Sequence, residues 1–407
     1  MSREVWITGI GLTSSLGEGV DAHWRALAET EHPQPVVDLT LCAPYPVHPM
    51  VPLNLDLQIP KRGDQRQMEN WQRVGTYTAG LALDDAGITG NLDILGRMHL
   101  IVAANGGERD FAADSAILDG LRHDPAPDEL LNERLSNDLR PTLFLAQLPN
   151  LLAGNISIVH KVTGSSRTLL GEESAGASAV EVAARRIRAG QGDIFLVGGT
   201  VIAERKDVIL ILAGGGWLWK GKPVPVWARP EMGGGTVTGS VGAFLVLEAR
   251  DHAEARGKSA YARLGPVLSD RSRRRPGEAA ANAARQFAAI RAAAPGKAPL
   301  RVLSAATGVA APTSEERDFL AGLIAAGEVA TVRGMATMLG SCLEANFPLG
   351  IGLAAVALSR EGFYQPVDDT GFETPAEGPA DAVAVTCWGV WRGESMGLVG
   401  AVNPSGG

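Results

Sequence analysis

The sequence predicts an α/β fold with largely parallel, buried sheets, and three observations support this prediction. Short apolar runs with the length of buried strands alternate with longer segments of helical spacing. The chain has 407 residues, 45% of them hydrophobic, so it can bury a substantial core. Its 50 glycines follow no collagen-like period, which indicates a compact protein with many tight turns.

The predicted elements follow one another along the chain as strands and helices. Each strand is an apolar run bounded by glycine or polar residues, and each helix has apolar or small residues three and four positions apart. Gly87 lies where a glycine commonly ends a helix. The predicted strands are 5–11, 99–104, 166–170, 194–199, 243–248 and 301–306, and the predicted helices are 20–27, 71–86, 143–153, 174–189, 315–326 and 349–358.

Charge, cysteine content and hydropathy exclude several classes of protein. The net charge of −8 argues against nucleic acid as a partner. Three cysteines, far apart, provide neither a disulfide framework nor a zinc site, which indicates a reducing compartment. The N-terminus does not resemble a signal peptide, and the longest apolar runs are too short to span a bilayer. We therefore expect a cytoplasmic protein that does not span a membrane.

The sequence contains no complete motif for binding a dinucleotide, a nucleotide phosphate or a catalytic metal. Gly9 and Gly11 follow the first strand as in a dinucleotide-binding loop, but Ser14 occupies the place of the third glycine. The runs 214–216 and 233–235 lack the Lys-Ser/Thr of a phosphate-binding loop, and no H-E-x-x-H occurs. The sequence therefore predicts no cofactor and no metal.

An arginine-rich segment marks a shift in composition at residues 268–299, where Arg271, Arg273, Arg274 and Arg275 precede an Ala-rich helix. A run of like charges is most typical of a solvated loop. The alternative is a surface that receives an acidic partner protein.

The most informative stretch is 164–200, which has the pattern of a strand, a sharp turn and a helix of small residues. Glu172 and Glu173 occupy the N-terminus of that helix. Free backbone N–H groups and the helix dipole favour negative charge there, and enzymes often place a reactive thiolate at such a position. The simpler alternative is that the two acids only neutralise the dipole.

Ordered landmarks along the chain carry a resemblance to a known family. They are the segments 5–27, 164–200, 239–257 and 335–350, the last reading MATMLGSCLEANFPLG. With them the chain resembles the β-ketoacyl-acyl-carrier-protein synthases of the thiolase fold over essentially its whole length. The resemblance implies a five-layered α-β-α-β-α fold with two pseudo-symmetric halves, 1–250 and 251–407.

The positions that carry catalysis in this family have lost their chemistry here. The nucleophilic cysteine position falls on Glu173, the first histidine on Ala306, the second histidine on Ser341 and the lysine on Ala336. No histidine occurs beyond residue 252. Condensation needs a nucleophile and donors for the enolate, so we expect no condensing activity from this chain alone. We expect Cys342, next to Ser341, to be a packed small residue rather than a nucleophile.

Two further features come from the resemblance. The flexible gate of the family falls on WGVWRGE, where Val390, Trp391 and Arg392 replace small or aromatic gate residues. Family members dimerise through the strand before the nucleophile turn, which here ends in the apolar set Thr168, Leu169 and Leu170.

The resemblance leaves three functional hypotheses open. In the first hypothesis, the chain resembles chain-length factors, which also lack the nucleophile. It then pairs with an active ketosynthase to shape acyl chain length, with acyl carrier protein as a second partner. Residues 61–87 resemble an atypical second synthase of very-long-chain fatty acid and lipid A pathways. In the second hypothesis, Glu173 serves an altered chemistry such as decarboxylation of malonyl-carrier protein. In the third, a homodimer binds the carrier protein as a scaffold.

Overall fold

The computed structural model describes residues 3–107, 109–139, 143–390 and 393–402. The strands are β1 Val5–Ser14, β2 Gly17–Glu18, β3 Val47–His48, β4 His99–Ala103, β5 Ser166–Leu169, β6 Ile194–Val201, β7 Thr238–Gly239, β8 Val241–Ala249, β9 Ala262–Asp270, β10 Leu300–Ser304, β11 Val329–Gly334, β12 Ala382–Trp388 and β13 Glu394–Gly400.

The α-helices connect these strands and flank them. They are α1 Gly19–Trp24, α2 Arg62–Gln67, α3 Asn70–Asp85, α4 Leu92–Leu95, α5 Phe111–Leu121, α6 Pro127–Asn137, α7 Leu143–Ala146, α8 Leu151–His160, α9 Glu172–Arg188, α10 Lys206–Gly214, α11 Arg250–Ala255, α12 Glu278–Ala293, α13 Ala310–Ala325, α14 Ala336–Leu339 and α15 Asn346–Ser359. A π-helical turn, Arg25–Glu29, continues α1, and 3-10 turns cover Leu55–Leu57, Arg229–Met232 and Leu343–Ala345.

An eleven-stranded sheet runs through the molecule in the order β11-β10-β12-β13-β9-β1-β8-β6-β4-β5, with β2 paired to β1. Its two five-stranded halves meet where β1 pairs with β9, with Val5 opposite Leu264 and Ile7 opposite Ala262. A separate two-stranded sheet joins β3 and β7. β1 is therefore a central strand, and β5 and β11 are the edges.

The prediction of largely parallel sheets is wrong. Within the described part of the large sheet, four strand pairs are parallel. They are β4 with β5, β4 with β6, β10 with β11, and β10 with β12. β8 is antiparallel to both β1 and β6, and β13 is antiparallel to both β12 and β9. Helices cover both faces of the sheet, so antiparallel strands such as β1 and β8 are buried throughout. A continuous apolar run therefore does not reveal strand direction here.

Most predicted elements occur within a few residues of their expected bounds, and two differences have local causes. The helix predicted over 143–153 is divided into α7 and α8, with Pro149 in the break, since proline disfavours a helical residue before it. β9 was not predicted because Gly265 and Pro266 interrupt its apolar pattern.

Three hydrophobic cores arrange these elements in five layers. α9 and α15 form the middle layer and pack between the two halves of the sheet. α3 and α8 cover the outer face of one half, and α12 and α13 cover the outer face of the other. The five-layered α-β-α-β-α prediction is confirmed, and the division of the chain at residue 250 stays a prediction. In the described part of the chain, no helix combines the length and apolar character that a bilayer crossing requires.

Candidate functional site

The site begins at the sharp turn between β5 and α9. Gly171 has φ +141°, and Glu172 has φ +49°, a left-handed value that side chains rarely adopt. This turn directs Glu173, the second residue of α9, into the interior, where it is 2% exposed. The structure therefore buries a carboxyl group at the position that the resemblance assigns to the nucleophile.

Glu173 contacts the segment that follows β12. Its Oε1 accepts a hydrogen bond of 3.1 Å from the backbone N–H of Val390. The N–H of Gly389, the residue before Val390, donates to the carbonyl of Gly393 over 3.0 Å. Val390 is thus packed on Glu173, whereas Trp391 and Arg392 lie outside the described residues. Burial raises the pKa of Glu173, because it penalises the charged form.

Three other positions carried over from the resemblance also lie in the interior. Ala306 follows β10, Ala336 begins α14, and Ser341 follows α14, and all three are almost fully buried. The hydroxyl oxygen of Ser341 accepts a long hydrogen bond of 3.4 Å from the side-chain amide of Asn346. The positions to which the resemblance assigns two histidines and a lysine are therefore filled here by two methyl groups and one hydroxyl.

A second buried carboxyl group, which the sequence analysis missed, lies in the 3-10 turn Leu343–Ala345. Gly176 lets α9 approach this turn so closely that any side chain would collide with the carbonyl of Glu344. Burial raises the pKa of Glu344 to about 8, and the neighbouring charge of Glu173 acts in the same direction. Its Oε2 has no hydrogen-bond partner. The start of α9 thus meets a second buried carboxyl group whose pKa is also raised by burial.

The prediction that the arginine-rich segment is a solvated loop is wrong for Arg274. The residue has φ +56°, and this left-handed backbone turns its side chain inward. Its Nη2 donates to the carbonyl oxygen of Gly389, and its Nε lies 3.8 Å from Oε1 of Glu394. Arg271, Arg273 and Arg275 are exposed, as predicted. Arg274 therefore holds Gly389, and the next residue, Val390, donates its N–H to Glu173.

Glu316 of α13 is a third buried carboxyl group that the sequence analysis missed. Its Oε1 accepts hydrogen bonds from the hydroxyls of Ser304 at 2.8 Å and Thr386 at 2.5 Å. Oε2 has no partner, and burial raises the pKa of the group to about 7. Its position was not predictable because it depends on α13 packing against the ends of β10 and β12.

The two cysteines of the interior are not activated. Cys342 is fully buried, and its Sγ donates to the side-chain oxygen of Asn346 over 2.9 Å. Burial raises the pKa of Cys342 and also that of Cys387, so both thiols stay protonated at neutral pH. Cys342 is a packed small residue, as the sequence predicts. Among the described residues, no three His, Cys, Asp or Glu side chains are arranged to hold a metal ion.

The segment predicted for dimerisation lies at an edge of the large sheet. Among the described strands, β5, which contains Thr168 and Leu169, pairs with β4 alone. Leu170 follows it and is 58% exposed. An edge strand with an exposed leucine beside it has both free backbone groups and apolar surface to offer a partner.

Comparison with known proteins agrees with this architecture. The β-ketoacyl synthase N-terminal domain matches residues 2–253. The chain is 26% identical over 277 residues to the 3-oxoacyl-[acyl-carrier-protein] synthase 2 of Vibrio cholerae, covering 64% of this chain and 62% of the relative. The corresponding synthase of Staphylococcus aureus is 23% identical over 269 residues, covering 65% of this chain and 62% of the relative. These matches span less than two thirds of the length of the relatives.

Solved structures match almost the whole chain. A β-ketoacyl synthase from Burkholderia phymatum has a TM-score of 0.79 at 19% identity, covering 99% of this chain and 100% of that one. The ishigamide ketosynthase/chain length factor has a TM-score of 0.78 at 19% identity, with the same coverage. The fold is therefore the thiolase fold of ketosynthases. Together with the domain match over more than half of its length, this shows that the chain belongs to the β-ketoacyl synthase family.

Proposed function

We propose that this chain is a non-condensing, cytoplasmic subunit that pairs with an active ketosynthase and shapes acyl chain length, with acyl carrier protein as a second partner. The pathway that we favour is fatty acid biosynthesis, in particular that of very long chains. One observation carries the proposal: the nucleophile position holds the buried carboxyl of Glu173, hydrogen-bonded to the N–H of Val390.

This arrangement argues against condensation by the chain itself. A carboxylate that accepted an acyl chain would form a labile anhydride, and the raised pKa of Glu173 also reduces the carboxylate fraction. Loss of a single preorganised donor costs about 2.7–4 kcal/mol of transition-state stabilisation. Both histidine positions and the lysine position are replaced together, by Ala306, Ser341 and Ala336.

Exposed apolar surface supports pairing with another chain. Besides the β5 edge, a groove of about 620 Å³ lies between α5, α6 and α10. Its lining includes four leucine or isoleucine side chains that are about half exposed or more, namely Leu118, Leu135, Leu210 and Ile211. Contiguous apolar surface of this kind commonly marks an interaction site. The neighbouring solved structure that contains a ketosynthase and a chain length factor is a precedent for such pairing.

Co-expression with candidate active ketosynthases, followed by affinity capture and mass determination, tests the proposal. We expect a one-to-one heterodimer whose products differ in acyl length from those of the synthase alone. Leu170→Asp should weaken the heterodimer, because it places a charge beside the pairing edge. Leu57→Asp is the matched control, since Leu57 is similarly exposed but lies in the 3-10 turn Leu55–Leu57. A homodimer that binds carrier protein and ignores every synthase would instead support the scaffold function.

A second candidate function is decarboxylation of malonyl-carrier protein. Its supporting observation is that Glu173 holds a proton more readily than an ordinary carboxyl, and this proton could be delivered to the carbanion left by departing CO₂. The assay is CO₂ release by the purified chain, with Glu173→Ala as the comparison. Equal rates for the two proteins at the level of buffer alone would eliminate this candidate.

A further inference from the structure

Arg229 is a buried cation without a counter-charge. It begins the 3-10 turn Arg229–Met232 and is only 1% exposed. Its Nε donates to the carbonyl of Val224 over 3.0 Å, and its Nη2 reaches the carbonyl of Ala336 at 3.5 Å. Nη1 has no hydrogen-bond partner, and no carboxylate of the described residues pairs with this guanidinium. A buried charge in this state is costly, so buried charges in proteins are normally paired or hold a ligand.

His48 is a second buried polar group in the same region whose hydrogen-bonding capacity is not satisfied. It lies in β3, whose partner β7 follows the Arg229 segment along the chain. Among the described residues, the only backbone group that acts on its ring nitrogens is the Val36 carbonyl, which lies outside normal hydrogen-bond geometry. Burial and the positive charge of Arg229 lower the pKa of His48 to about 3, so the imidazole is neutral and can donate from one nitrogen.

Both side chains border the positions that the family uses for catalysis. The guanidinium contacts the carbonyl of Ala336, and a Cβ atom at Gly308 would lie 3.0 Å from Nη1 of Arg229. The ring of His48 packs against Gly340, where a Cβ atom would lie 2.8 Å from Cδ2. Ala336 is the position of the lysine, Gly308 lies two residues after Ala306, and Gly340 directly precedes Ser341. A cation and an imidazole from the N-terminal half thus lie beside the positions to which the resemblance assigns the family's lysine and histidines.

We propose that Arg229, with His48 beside it, forms a buried binding site for a small carboxylate. The free edge of a guanidinium matches the planar geometry of a carboxylate, and a charge-assisted pair would supply the missing counter-charge. The close approach of the backbone at Gly308 and Gly340 limits the ligand to a small one. This site is independent of the proposed pairing with a ketosynthase, and a negative result for one leaves the other standing.

Titration calorimetry and thermal denaturation with malonate and acetate, against sodium chloride at equal ionic strength, test the site. We expect saturable one-to-one binding of a carboxylate and a rise in Tm with its concentration. Arg229→Met should lower the affinity by about 10- to 100-fold, the range for a lost hydrogen bond to a charged group. Arg333→Met is the matched control, because Arg333 is also buried and its Nη2 also lacks a partner, whereas its other nitrogens bond to the carbonyls of Tyr364 and Val332 and to the hydroxyl of Thr331. The control therefore tests whether an unpartnered guanidinium nitrogen alone accounts for binding. It should bind as the wild type does.

A structural role alone for Arg229 predicts different results. In that case the wild type shows no carboxylate-dependent rise in Tm. The ligand-free Tm does not distinguish the two roles, because Arg229→Met also removes the hydrogen bonds to the carbonyls of Val224 and Ala336. If Arg229→Met fails to fold, Arg229→Lys retains the charge without the planar fork and should bind more weakly than the wild type. The proposal is overturned if the wild type binds neither carboxylate saturably, if Arg229→Met binds as tightly as the wild type, or if a crystal grown with malonate contains only water at Nη1.

Discussion

The replacement Glu316→Gln should stabilise the protein, and the gain should depend on pH. Glu316 is fully buried, and burial raises its pKa to about 7 from an ordinary value of 4.5. The stability contribution of a carboxyl with a raised pKa is fully present below 4.5 and has been lost once the pH has risen through 7. Glutamine has nearly the same shape and can still bond to the hydroxyls of Ser304 and Thr386, but it never acquires the charge.

The size of the effect follows from the two pKa values. A difference of one pH unit corresponds to about 1.4 kcal/mol, so the wild type loses about 3 kcal/mol relative to the variant at pH 8. At pH 5, where most of the carboxyl is still protonated in the folded state, the variant should gain only about 1 kcal/mol. The variant therefore gains most of its advantage between these two pH values.

Urea denaturation of both proteins at pH 5, 6, 7 and 8 measures this difference. Taking the difference between the two proteins cancels the titration of all other groups. Glu315→Gln is the matched control, because Glu315 is the adjacent residue and is partly exposed. A Glu316→Gln difference that stays constant from pH 5 to pH 8 would refute the reasoning.

Three further predictions concern the same framework. Glu173→Ala leaves the N–H of Val390 without an acceptor and should cost about 1–3 kcal/mol of stability at pH 5, measured by urea denaturation, whereas Glu173→Gln retains the acceptor and should cost less. Gly176→Ala should cost about 1–3 kcal/mol in the same assay, because the added methyl group collides with the neighbouring 3-10 turn. Hydrogen bonds from Arg256 lower the pKa of Glu248 although burial opposes them, so Glu248 stabilises the fold above its unfolded pKa. Thermal melts should therefore show that Glu248→Gln is strongly destabilising at pH 7, and that the difference shrinks as the pH falls below 4.

The sequence predicts the alternation of strands and helices because periodicity records which faces are buried. It also predicts where α9 begins, because two acids mark a helix N-terminus. It does not predict the strand directions, since both faces of the sheet are covered and the apolar runs of parallel and antiparallel strands are alike. The directions depend instead on which strands become neighbours across the whole chain.

The interior of the site was predicted only in part. The residue types at Glu173, Ala306 and Ser341 predict, by the resemblance, that the family's catalytic groups are absent. The inward position of Arg274 depends on one left-handed backbone angle, and its neighbours in an arginine run give no sign of it. The bond from Val390 to Glu173 joins residues 217 positions apart, a separation over which no local pattern operates.

The central position of β1 has a consequence for the synthesis of the protein. β1 leaves the ribosome before the other described strands, and its two long neighbours, β8 and β9, begin only at Val241 and Ala262. At about 5–20 residues per second, the apolar segment from Val5 to Leu12 waits on the order of ten to fifty seconds for either partner. During that interval its backbone groups are unpaired and its side chains are available to chaperones or to other nascent chains. The nascent chain is therefore most vulnerable to aggregation before Val241 has emerged.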